Sequence, residues 1–206
     1  MDVAVLSPHT DDSELSAGGT INRLQRDGHD IHYVAFSTCD ESLPAGKQGV
    51  LRREFESVME FVDPTEYYVF DYVVRRFNER RQDILEDLVA LREELDPDLI
   101  IGPSTSDHHQ DHTVVAKEMI RAFKSGPSII AYEQPWNTTS FDTDLFSPLT
   151  AADLDSKLTQ LSQYDSQIEK GRPYFEEEFI RGLARVRGLQ GNARYAEAFE
   201  VVRWLL

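Results

Sequence analysis

The sequence predicts an α/β fold in which a mostly parallel sheet carries helices on both faces. Apolar runs alternate with amphipathic stretches through about the first 135 residues, which is the pattern of successive strand–helix units. A hydrophobic fraction of 40% with 28% charged residues indicates a globular chain rather than a disordered one. The length of 206 residues suits one domain, and no linker divides the chain, so we expect a single domain over residues 1–206.

Five strands and four helices are predicted in this alternating region. The strands are short apolar runs at residues 3–7, 31–36, 67–70, 99–102 and 129–132. Between them, apolar residues recur at roughly helical spacing, which predicts helices over residues 14–26, 48–61, 80–95 and 114–123. Gly28 and the pair Asp96-Pro97 supply stop signals just beyond the first and the third of these helices.

The pattern becomes helical after Leu149. Residues 151–168 and 174–186 are predicted as two helices, and residues 199–206 as a short strand or helix. We therefore expect a Rossmann-like sheet with a C-terminal helical extension. In sheets of this kind ligands bind beyond the carboxyl ends of the strands, near the switch in strand order.

The charge and the apolar pattern argue against several classes of partner. The net charge of −16 would repel phosphates, so nucleic acid and anionic membrane surfaces are not expected as partners. No apolar run approaches the roughly 18 residues that a membrane span needs. The N-terminus passes into an apolar run without a basic segment or a small-residue cleavage site, which predicts a cytoplasmic protein.

Cys39 is the single cysteine of the sequence, so this chain can form neither an internal disulfide nor a thiolate metal cluster. It follows an apolar, strand-like run, and we interpret it as an ordinary loop residue rather than a nucleophile. Any metal site in this chain must therefore use nitrogen and oxygen ligands.

Two segments rich in metal-ligand side chains follow the first and the fourth predicted strand. The first contains His9, Asp11 and Asp12, and the second runs from Asp107 to His112 with three histidines among its six residues. The carboxyl ends of parallel strands share one edge of a sheet, so the two segments can meet across about 100 residues of sequence. A strand-end loop gains no stability from so many polar groups, and their concentration therefore indicates a metal site.

A mononuclear catalytic zinc site needs about three protein ligands from His and Asp or Glu, with one position open to water. His9, Asp12 and a histidine of the second segment supply such a set. Asp11 is then available as a general base. The structural alternative is that Asp11 or Asp12 only caps the helix that follows. Oxygen and nitrogen ligands without thiolate fit Zn²⁺ best, and Fe²⁺ or Co²⁺ would also bind.

The two segments resemble the signatures of the LmbE-like (PIG-L-type) de-N-acetylase family. The first signature is a strand ending in His-Pro-Asp-Asp, followed by Glu-Leu and Gly-Gly-Thr; residues 9–20 read HTDDSELSAGGT. The second signature, His-x-Asp-His, is similar to HQDH at residues 109–112. Thr10 stands where the family usually has proline, which leaves the loop less rigid without changing a ligand. Weaker likeness elsewhere extends the resemblance over essentially the whole chain.

The resemblance implies which residues bind the metal and which activate the water. It implies three metal ligands, His9, Asp12 and His112, with Asp11 as the general base. Amide hydrolysis is slow because hydroxide is scarce and the tetrahedral oxyanion is unstable. The reaction therefore needs both an activated water and a donor to the oxyanion.

The remaining matches concern the oxyanion and the substrate. By resemblance, a protonated His109 stabilises the oxyanion and Asp111 orients His109. Arg53 resembles a substrate-binding arginine of the family, although a surface charge on a helix is an equal alternative. The implied activity is the removal of an N-acetyl (acyl) group from an amino sugar or glycan conjugate, with zinc as the metal.

Two other functions stay open at this stage. One is a non-catalytic, metal-containing carbohydrate-binding protein of the same fold, although such a protein would need neither Asp11 nor His109. The other is a different mononuclear metal hydrolase, such as a phosphoesterase, although that chemistry usually calls for a second metal and more carboxylate ligands. Many members of the family form closed oligomers, so the resemblance also implies a homo-oligomer.

Three further motifs have structural alternatives. Gly18-Gly19 follows the first strand, but the spacing Gly-x-Gly-x-x-Gly is absent and the acidic pair before it would repel a pyrophosphate, so we predict close helix packing instead. The pair Arg75-Arg76 either binds a phosphate or carboxylate of a substrate or forms a solvated, salt-bridged surface. Trp136 and Tyr132 either stack on a sugar ring or belong to the core.

Overall fold

Seven strands form one sheet in a computed structural model that describes residues 1–205. The strands are β1 (Asp2–His9), β2 (Asp30–Ser37), β3 (Glu66–Val69), β4 (Leu99–Pro103), β5 (Ser128–Tyr132), β6 (Leu145–Leu149) and β7 (Tyr195–Arg203). Their order across the sheet is β3-β2-β1-β4-β5-β7-β6. Strands β1 to β5 run parallel, whereas β7 pairs antiparallel with both β5 and β6. The prediction of a mostly parallel sheet is confirmed.

Helices cover both faces of this sheet. They are α1 (Asp12–Arg26), α2 (Val50–Val62), α3 (Arg81–Leu95), α4 (Gln110–Ala122), α5 (Ala151–Leu161), α6 (Asp165–Ile168) and α7 (Glu177–Gln190). Helices α1, α2, α5 and α7 contribute apolar side chains to the core on one face, and α3 and α4 to the core on the other. These six helices bury apolar side chains in the two cores, as the alternating pattern predicts, whereas the four-residue α6 buries Ser166 and Gln167.

Strand β1 lies inside the sheet, between β2 and β4, because its side chains are apolar on both faces. Val3, Val5 and Leu6 have no exposed surface. The next strand in the chain, β2, pairs with one edge of β1, and β4 pairs with the other. The strand order therefore reverses direction between β1 and β4, which is where sheets of this kind bind ligands beyond their carboxyl ends.

Two helices begin earlier than their apolar patterns predict. Helix α1 starts at Asp12 rather than Glu14, and α4 starts at Gln110 rather than Val114. Their first turns carry polar residues, which an apolar periodicity does not register. As a result His112 lies in the first turn of a helix and not in a strand-end loop.

The C-terminal part contains two strands besides helices, so the predicted helical extension is only partly helical. Strand β6 contains Pro148, which has no N–H to donate, and it lies at the edge of the sheet, where such a residue is tolerated. The predicted helix over residues 151–168 is interrupted between α5 and α6. Over residues 199–206 the strand alternative is correct for the part that β7 covers, and Leu206 lies outside the described residues.

Gly19 allows α1 to pack closely on the antiparallel part of the sheet. A Cβ atom at this position would lie 2.5 Å from Cδ1 of Leu149 in β6. The backbone N–H of Gly19 donates a hydrogen bond to Oε1 of Glu197 in β7 at 3.0 Å. The glycine pair therefore serves close helix packing, as predicted. Within residues 1–205, none of the helices combines the length and the apolar character that a membrane crossing requires.

Candidate active site

Both predicted segments converge at the carboxyl edge of the sheet, where β1 and β4 end side by side. His9 is the last residue of β1, and Asp12 is the first residue of α1. His109 is the N-cap of α4, and Asp111 and His112 lie in the first turn of that helix. The N-terminal ends of two helices therefore lie at the site, and their partial positive charge favours carboxylates there.

One side-chain atom from each of His9, Asp12 and His112 converges on a common point. Oδ2 of Asp12 lies 3.1 Å from Nδ1 of His9 and 3.1 Å from Nε2 of His112. The two nitrogens are 3.2 Å apart. Ligand atoms at about 2.0 Å from a tetrahedral zinc ion are about 3.3 Å from one another. These three atoms therefore have close to the spacing that such an ion requires.

Two further carboxylates contact His9 and His112 at the ring nitrogens that face away from the common point. Oδ2 of Asp111 lies 3.1 Å from Nε2 of His9, and Oδ2 of Asp107 lies 2.7 Å from Nδ1 of His112. Such contacts fix the tautomer, which leaves Nδ1 of His9 and Nε2 of His112 to face a metal. No role of Asp107 was predicted from the sequence. The signal that points to it is the general need of a metal-binding histidine for a carboxylate or carbonyl partner.

The contacts of Asp111 differ from those that the resemblance implies. Its carboxylate does not orient His109; it contacts His9 and accepts the backbone N–H of Arg75 at 2.6 Å. His109 is instead held by the backbone N–H of Asp111, which donates to Nδ1 of His109 at 3.3 Å. The reason is the early start of α4, whose first turn places the Asp111 carboxylate against the end of β1.

The charges around the cluster favour a bound cation. Burial alone would lower the pKa of His112, but Asp12 and Asp107 raise it to about 10. Burial would raise the pKa of Asp12, but His112 and His9 hold it well below its usual value. Positive charge is therefore stabilised at the point where the three ligand atoms meet, and the nitrogen and oxygen donors fit a divalent metal ion.

His109 is a second candidate for the third ligand. One ligand atom from each of His9, His109 and His112 lies within 4.8 Å of the others, so these three histidines could hold a metal ion. The spacing of 3.1–3.2 Å favours Asp12 over His109 in this role. Burial, His112 and His9 lower the pKa of His109 to about 4, so its ring is neutral near pH 7 rather than protonated as the resemblance implies. Because Nδ1 of His109 accepts a backbone N–H, Nε2 is the nitrogen that carries the proton.

Asp11 lies beside the cluster without contacting its histidines through a hydrogen bond within residues 1–205. It occupies the N-cap position of α1, but its side chain makes no capping hydrogen bond, so helix capping does not account for it. Asp11 lines the cavity above the cluster. Burial and the neighbouring Asp12 raise the pKa of Asp11 to about 6. A carboxyl group with a pKa near the working pH suits proton transfer.

Aromatic rings and an amide side chain take part in lining the cavity. Trp136 stacks on Tyr174 with ring centroids 4.3 Å apart, and both residues line the cavity. Gln134 lines it as well and donates from Nε2 to Oδ1 of Asp12 at 2.9 Å, a contact that is not evident from the sequence. Tyr132 is buried, and its hydroxyl donates to the carbonyl of Leu6. Of the two aromatic residues considered from the sequence, Trp136 belongs to the cavity and Tyr132 to the core.

Of the other residues singled out in the sequence, some line the cavity and others do not. Arg53 is exposed on α2 and is not among the described residues that line the cavity, so its contact with substrate stays a prediction. Arg75 lines the cavity, whereas Arg76 pairs with Glu79 at 3.9 Å. Cys39 also lines the cavity, but burial raises the pKa of its thiol, which disfavours the nucleophilic thiolate.

A family comparison matches the part of the chain that contains both segments. The family model described as GlcNAc-PI de-N-acetylase (PIG-L) matches residues 4–123. The uncharacterized deacetylase YaiS of Escherichia coli (strain K12) is 25% identical over 171 residues, which cover 80% of this chain and 90% of YaiS. The match to the family therefore spans more than half of the chain.

Two solved structures share the fold over nearly all of the chain. N,N'-diacetylchitobiose deacetylase from Pyrococcus horikoshii superposes with a TM-score of 0.75 at 22% identity, covering 98% of this chain and 83% of its own. GalB, the 4-carboxy-2-hydroxymuconate hydratase from Pseudomonas putida KT2440, superposes with a TM-score of 0.80 at 21% identity, covering 100% of this chain and 97% of its own. Since a deacetylase and a hydratase share this fold, the fold alone does not decide the reaction.

Proposed function

Because this chain belongs to the GlcNAc-PI de-N-acetylase (PIG-L) family, we propose that it is a zinc-dependent amide hydrolase that removes the N-acetyl group of an amino sugar or glycan conjugate. The similarity to YaiS and to the diacetylchitobiose deacetylase supports this class of reaction. The observation that carries the proposal is the position of Asp11. Its carboxyl group lines the cavity directly beside three converging ligand atoms, and it neither caps a helix nor hydrogen-bonds a histidine within residues 1–205.

His9, Asp12 and His112 are the proposed metal ligands, with the spacing and charge described above as support. The chemistry that the ion supplies when bound is Lewis acidity and a water pKa lowered towards about 7. Gln134 donates a hydrogen bond to Oδ1 of Asp12. The carboxylates of Asp111 and Asp107 contact the imidazoles of His9 and His112, respectively. The chain thus fixes the direction of each ligand before a metal or a substrate arrives.

Asp11 is the proposed general base. It accepts a proton from the attacking water, whose oxygen forms a bond to the carbonyl carbon of the amide. When the carbon–nitrogen bond breaks, Asp11 returns the proton to the leaving nitrogen. A free amine and acetic acid are the products: one hydrogen of the water is now on the amine nitrogen, and the other is on the acid, which releases it to the solvent and becomes acetate. A buried carboxyl group with a pKa of about 6 can hold and release this proton near neutral pH.

His109 is the proposed donor to the carbonyl oxygen. A neutral imidazole with its proton on Nε2 can donate a hydrogen bond as negative charge develops on that oxygen, without being protonated first. The backbone N–H of Asp111 sets the direction of the ring by donating to Nδ1. Asp111 itself is a positioning residue, because its carboxylate acts through His9.

The non-catalytic binding protein and the phosphoesterase are the rival functions. A binding protein needs the metal ligands but neither a base nor an oxyanion donor, and here Asp11 lines the cavity and His109 lies against the cluster. A phosphoesterase that uses two metals needs further carboxylates as ligands. Within residues 1–205, the other two carboxylates at the cluster, Asp107 and Asp111, are engaged with histidine nitrogens.

The test is a substrate panel assayed for both products. Purified protein, with its zinc content measured, is incubated with N-acetylated amino sugars, nucleotide sugars and a phosphomonoester, and free acetate, free amine and phosphate are quantified. We expect equal amounts of acetate and amine from at least one N-acetylated sugar, and loss of that release when zinc is removed with a chelator and its return when zinc is added back. Release of phosphate alone, or no release from any member by the zinc-loaded protein, would contradict the proposal.

A further inference from the structure

Positively charged side chains line the cavity of a strongly acidic chain. The net charge of the sequence is −16, yet the cationic lining residues Arg75, Lys170 and Arg172 outnumber the two lining carboxylates, Asp11 and Asp12. One of those carboxylates, Asp12, is engaged with both histidines of the cluster. The lining of the cavity therefore carries more cationic side chains than carboxylates that are free of the cluster.

These cations have no carboxylate partner of their own. Within residues 1–205, no salt bridge is formed by Arg75, Lys170 or Arg172, whereas Lys47 and Arg76, which do not line the cavity, are both paired. Lys47 lies 3.1 Å from Glu169, and Arg76 lies 3.9 Å from Glu79. The chain has 37 Asp and Glu residues, so a shortage of carboxylates does not explain why these three cations of the cavity lining form no salt bridge within residues 1–205.

Lys170 and Arg172 lie on a segment that the fold holds in place. Helix α6 precedes them in the chain and is hydrogen-bonded to α2. The backbone N–H and the hydroxyl of Ser166 in α6 donate to the carboxylate of Glu54 in α2 at 2.8 and 2.6 Å. Nζ of Lys170 donates to Oε1 of Gln167 at 3.3 Å. The guanidinium of Arg172 lies over the ring of Tyr174, 5.7 Å from its centroid. The contacts with Gln167 and Tyr174 restrict the two side chains at the cavity, which lowers the cost of ordering them around a ligand.

We infer that Lys170 and Arg172 form an anion subsite, so that the N-acetylated substrate carries a carboxylate or a phosphate next to the ring that enters the cavity. This inference rests on the proposed function, because it names the substrate class of the same site. An ammonium and a guanidinium together supply charge-assisted hydrogen bonds to several oxygens of one anionic group. Burial and the neighbouring Arg172 lower the pKa of Lys170, and a bound anion between the two would relieve this repulsion.

A different role for Arg172 makes a different prediction. Arg172 acts on Asp11 by lowering the pKa of that carboxyl, so it would influence the proposed base in any substrate complex. If this were its whole role, loss of the two cations would change the hydrolysis of neutral and anionic substrates by the same factor. An anion subsite requires that the anionic substrate lose more. The ratio of the two rates therefore separates the two roles.

The experiment compares N-acetylglucosamine with two anionic derivatives, its 6-phosphate and its 3-O-lactyl ether, which carries a carboxylate. For the zinc-loaded protein we expect kcat/KM at least about tenfold higher for one of the anionic sugars than for the neutral one. In the variant Lys170→Gln/Arg172→Gln this preference falls to less than about threefold. The anionic sugar that is hydrolysed preferentially, the 6-phosphate or the 3-O-lactyl ether, shows whether the subsite binds a phosphate or a carboxylate.

The control is Lys124→Gln, which removes one positive charge at the other end of the molecule. Lys124 is exposed just beyond the C-terminal end of α4, and a helix of 13 residues spans about 20 Å from the cluster at its N-terminal end. We expect this variant to keep the full preference. Melting temperatures are measured for the double variant and for the single variants Lys170→Gln and Arg172→Gln. They show whether a lost preference for the anionic sugar follows from unfolding.

Binding of the products provides a readout that does not depend on turnover. Zinc-loaded protein is titrated calorimetrically with glucosamine, its 6-phosphate and its 3-O-lactyl ether, and we expect one anionic product to bind at least about tenfold more tightly. If kcat/KM and product affinity are both the same for neutral and anionic sugars, the anion subsite is overturned while the proposed function stays in place. A binding preference without hydrolysis of any N-acetylated sugar would instead overturn the proposed function.

Discussion

Oδ2 of Asp111 lies 3.1 Å from Nε2 of His9, although 102 positions separate the two residues in the sequence. The same carboxylate accepts the backbone N–H of Arg75 at 2.6 Å. One side chain therefore connects the first turn of α4 to the end of β1 and to the wall of the cavity. Since Asp111 is fully buried, its hydrogen bonds are not exchanged for water.

Asp111→Asn is expected to weaken zinc binding by about tenfold to a hundredfold, because the proposed ligand His9 loses the charged partner that fixes its ring and its basicity. The affinity is measured by competition with a chelator of known zinc affinity. Asp96→Asn is the control, since Asp96 is exposed at the C-terminal end of α3 in a left-handed conformation that asparagine accepts. Unchanged zinc affinity in Asp111→Asn would show that this contact does not support a metal ligand.

Alanine variants of the second segment distinguish the two candidate ligand sets. We expect His112→Ala to lose bound zinc, and His109→Ala to keep about one zinc per chain while amine release falls by about 100-fold or more. Metal content is measured by elemental analysis after dialysis. His108→Ala is the matched control, because His108 is exposed and its Nε2 lies 3.5 Å from the hydroxyl of Thr139. Loss of zinc from His109→Ala would favour the set of three histidines over the set with Asp12.

Asp11→Asn removes the proposed base and keeps its shape. We expect zinc content near one per chain and a loss of amine release of about 100-fold or more, since general base catalysis contributes roughly that much. Zinc content and amine release are measured on the same preparation. If the variant loses its zinc instead, Asp11 is a ligand and the division of roles at the site must change.

Asp153 stabilises the start of α5 and gives a pH-dependent prediction. Its carboxylate accepts hydrogen bonds from the backbone N–H and the hydroxyl of Thr150 at 2.8 and 2.7 Å and pairs with Arg26. Burial would raise the pKa of Asp153, but Thr150 and Arg26 lower it below its usual value. A carboxyl group with a lowered pKa in the folded state contributes its full stability above the unfolded pKa, about 3.9, and loses it as the pH falls through the folded pKa.

Asp153→Asn should therefore lower the free energy of unfolding by about 1 kcal/mol at pH 7 and by less as the pH falls below about 4. Urea unfolding of both proteins at several pH values measures the difference. Asp155→Asn is the comparison, because Asp155 is exposed on the same helix and its ion pair with Arg181 at the surface should contribute less than about 0.5 kcal/mol. A difference for Asp153→Asn that grows with acidity would contradict the assigned pKa direction.

Two glycines of α7 should respond to alanine with opposite signs. A Cβ at Gly188 would lie 2.7 Å from the carbonyl oxygen of Arg194 and 2.8 Å from Cα of Tyr195, and backbone atoms cannot yield cheaply. We expect Gly188→Ala to lower the free energy of unfolding by about 1–3 kcal/mol. A Cβ at Gly182 meets no described atom within 4 Å, so Gly182→Ala should raise it by about 0.5–1 kcal/mol through helix propensity. Urea denaturation of both variants tests the pair, and equal shifts would mean that the close approach at Gly188 is not maintained in solution.

The order of the elements could be predicted from the sequence, but their polar ends could not. Apolar runs identified β1 to β5 because buried parallel strands are apolar on both faces. Apolar spacing predicts that α4 starts at Val114, since the four residues before it add no apolar stripe. Strand β6 was missed because Pro148 and its short length are typical of a loop as well as of an edge strand.

The sequence by itself determined the fold class, the two polar segments and the set of side chains from which the site is built, because these depend on apolar periodicity and residue type. The tertiary structure decided which partner each side chain has. Asp111 contacts His9 rather than His109, Asp107 contacts His112, and Lys170 and Arg172 reach the cavity from beyond α6. Such pairings depend on where helices begin and on how segments far apart in sequence pack together, and the spacing of residues along a chain does not fix distances across a sheet edge.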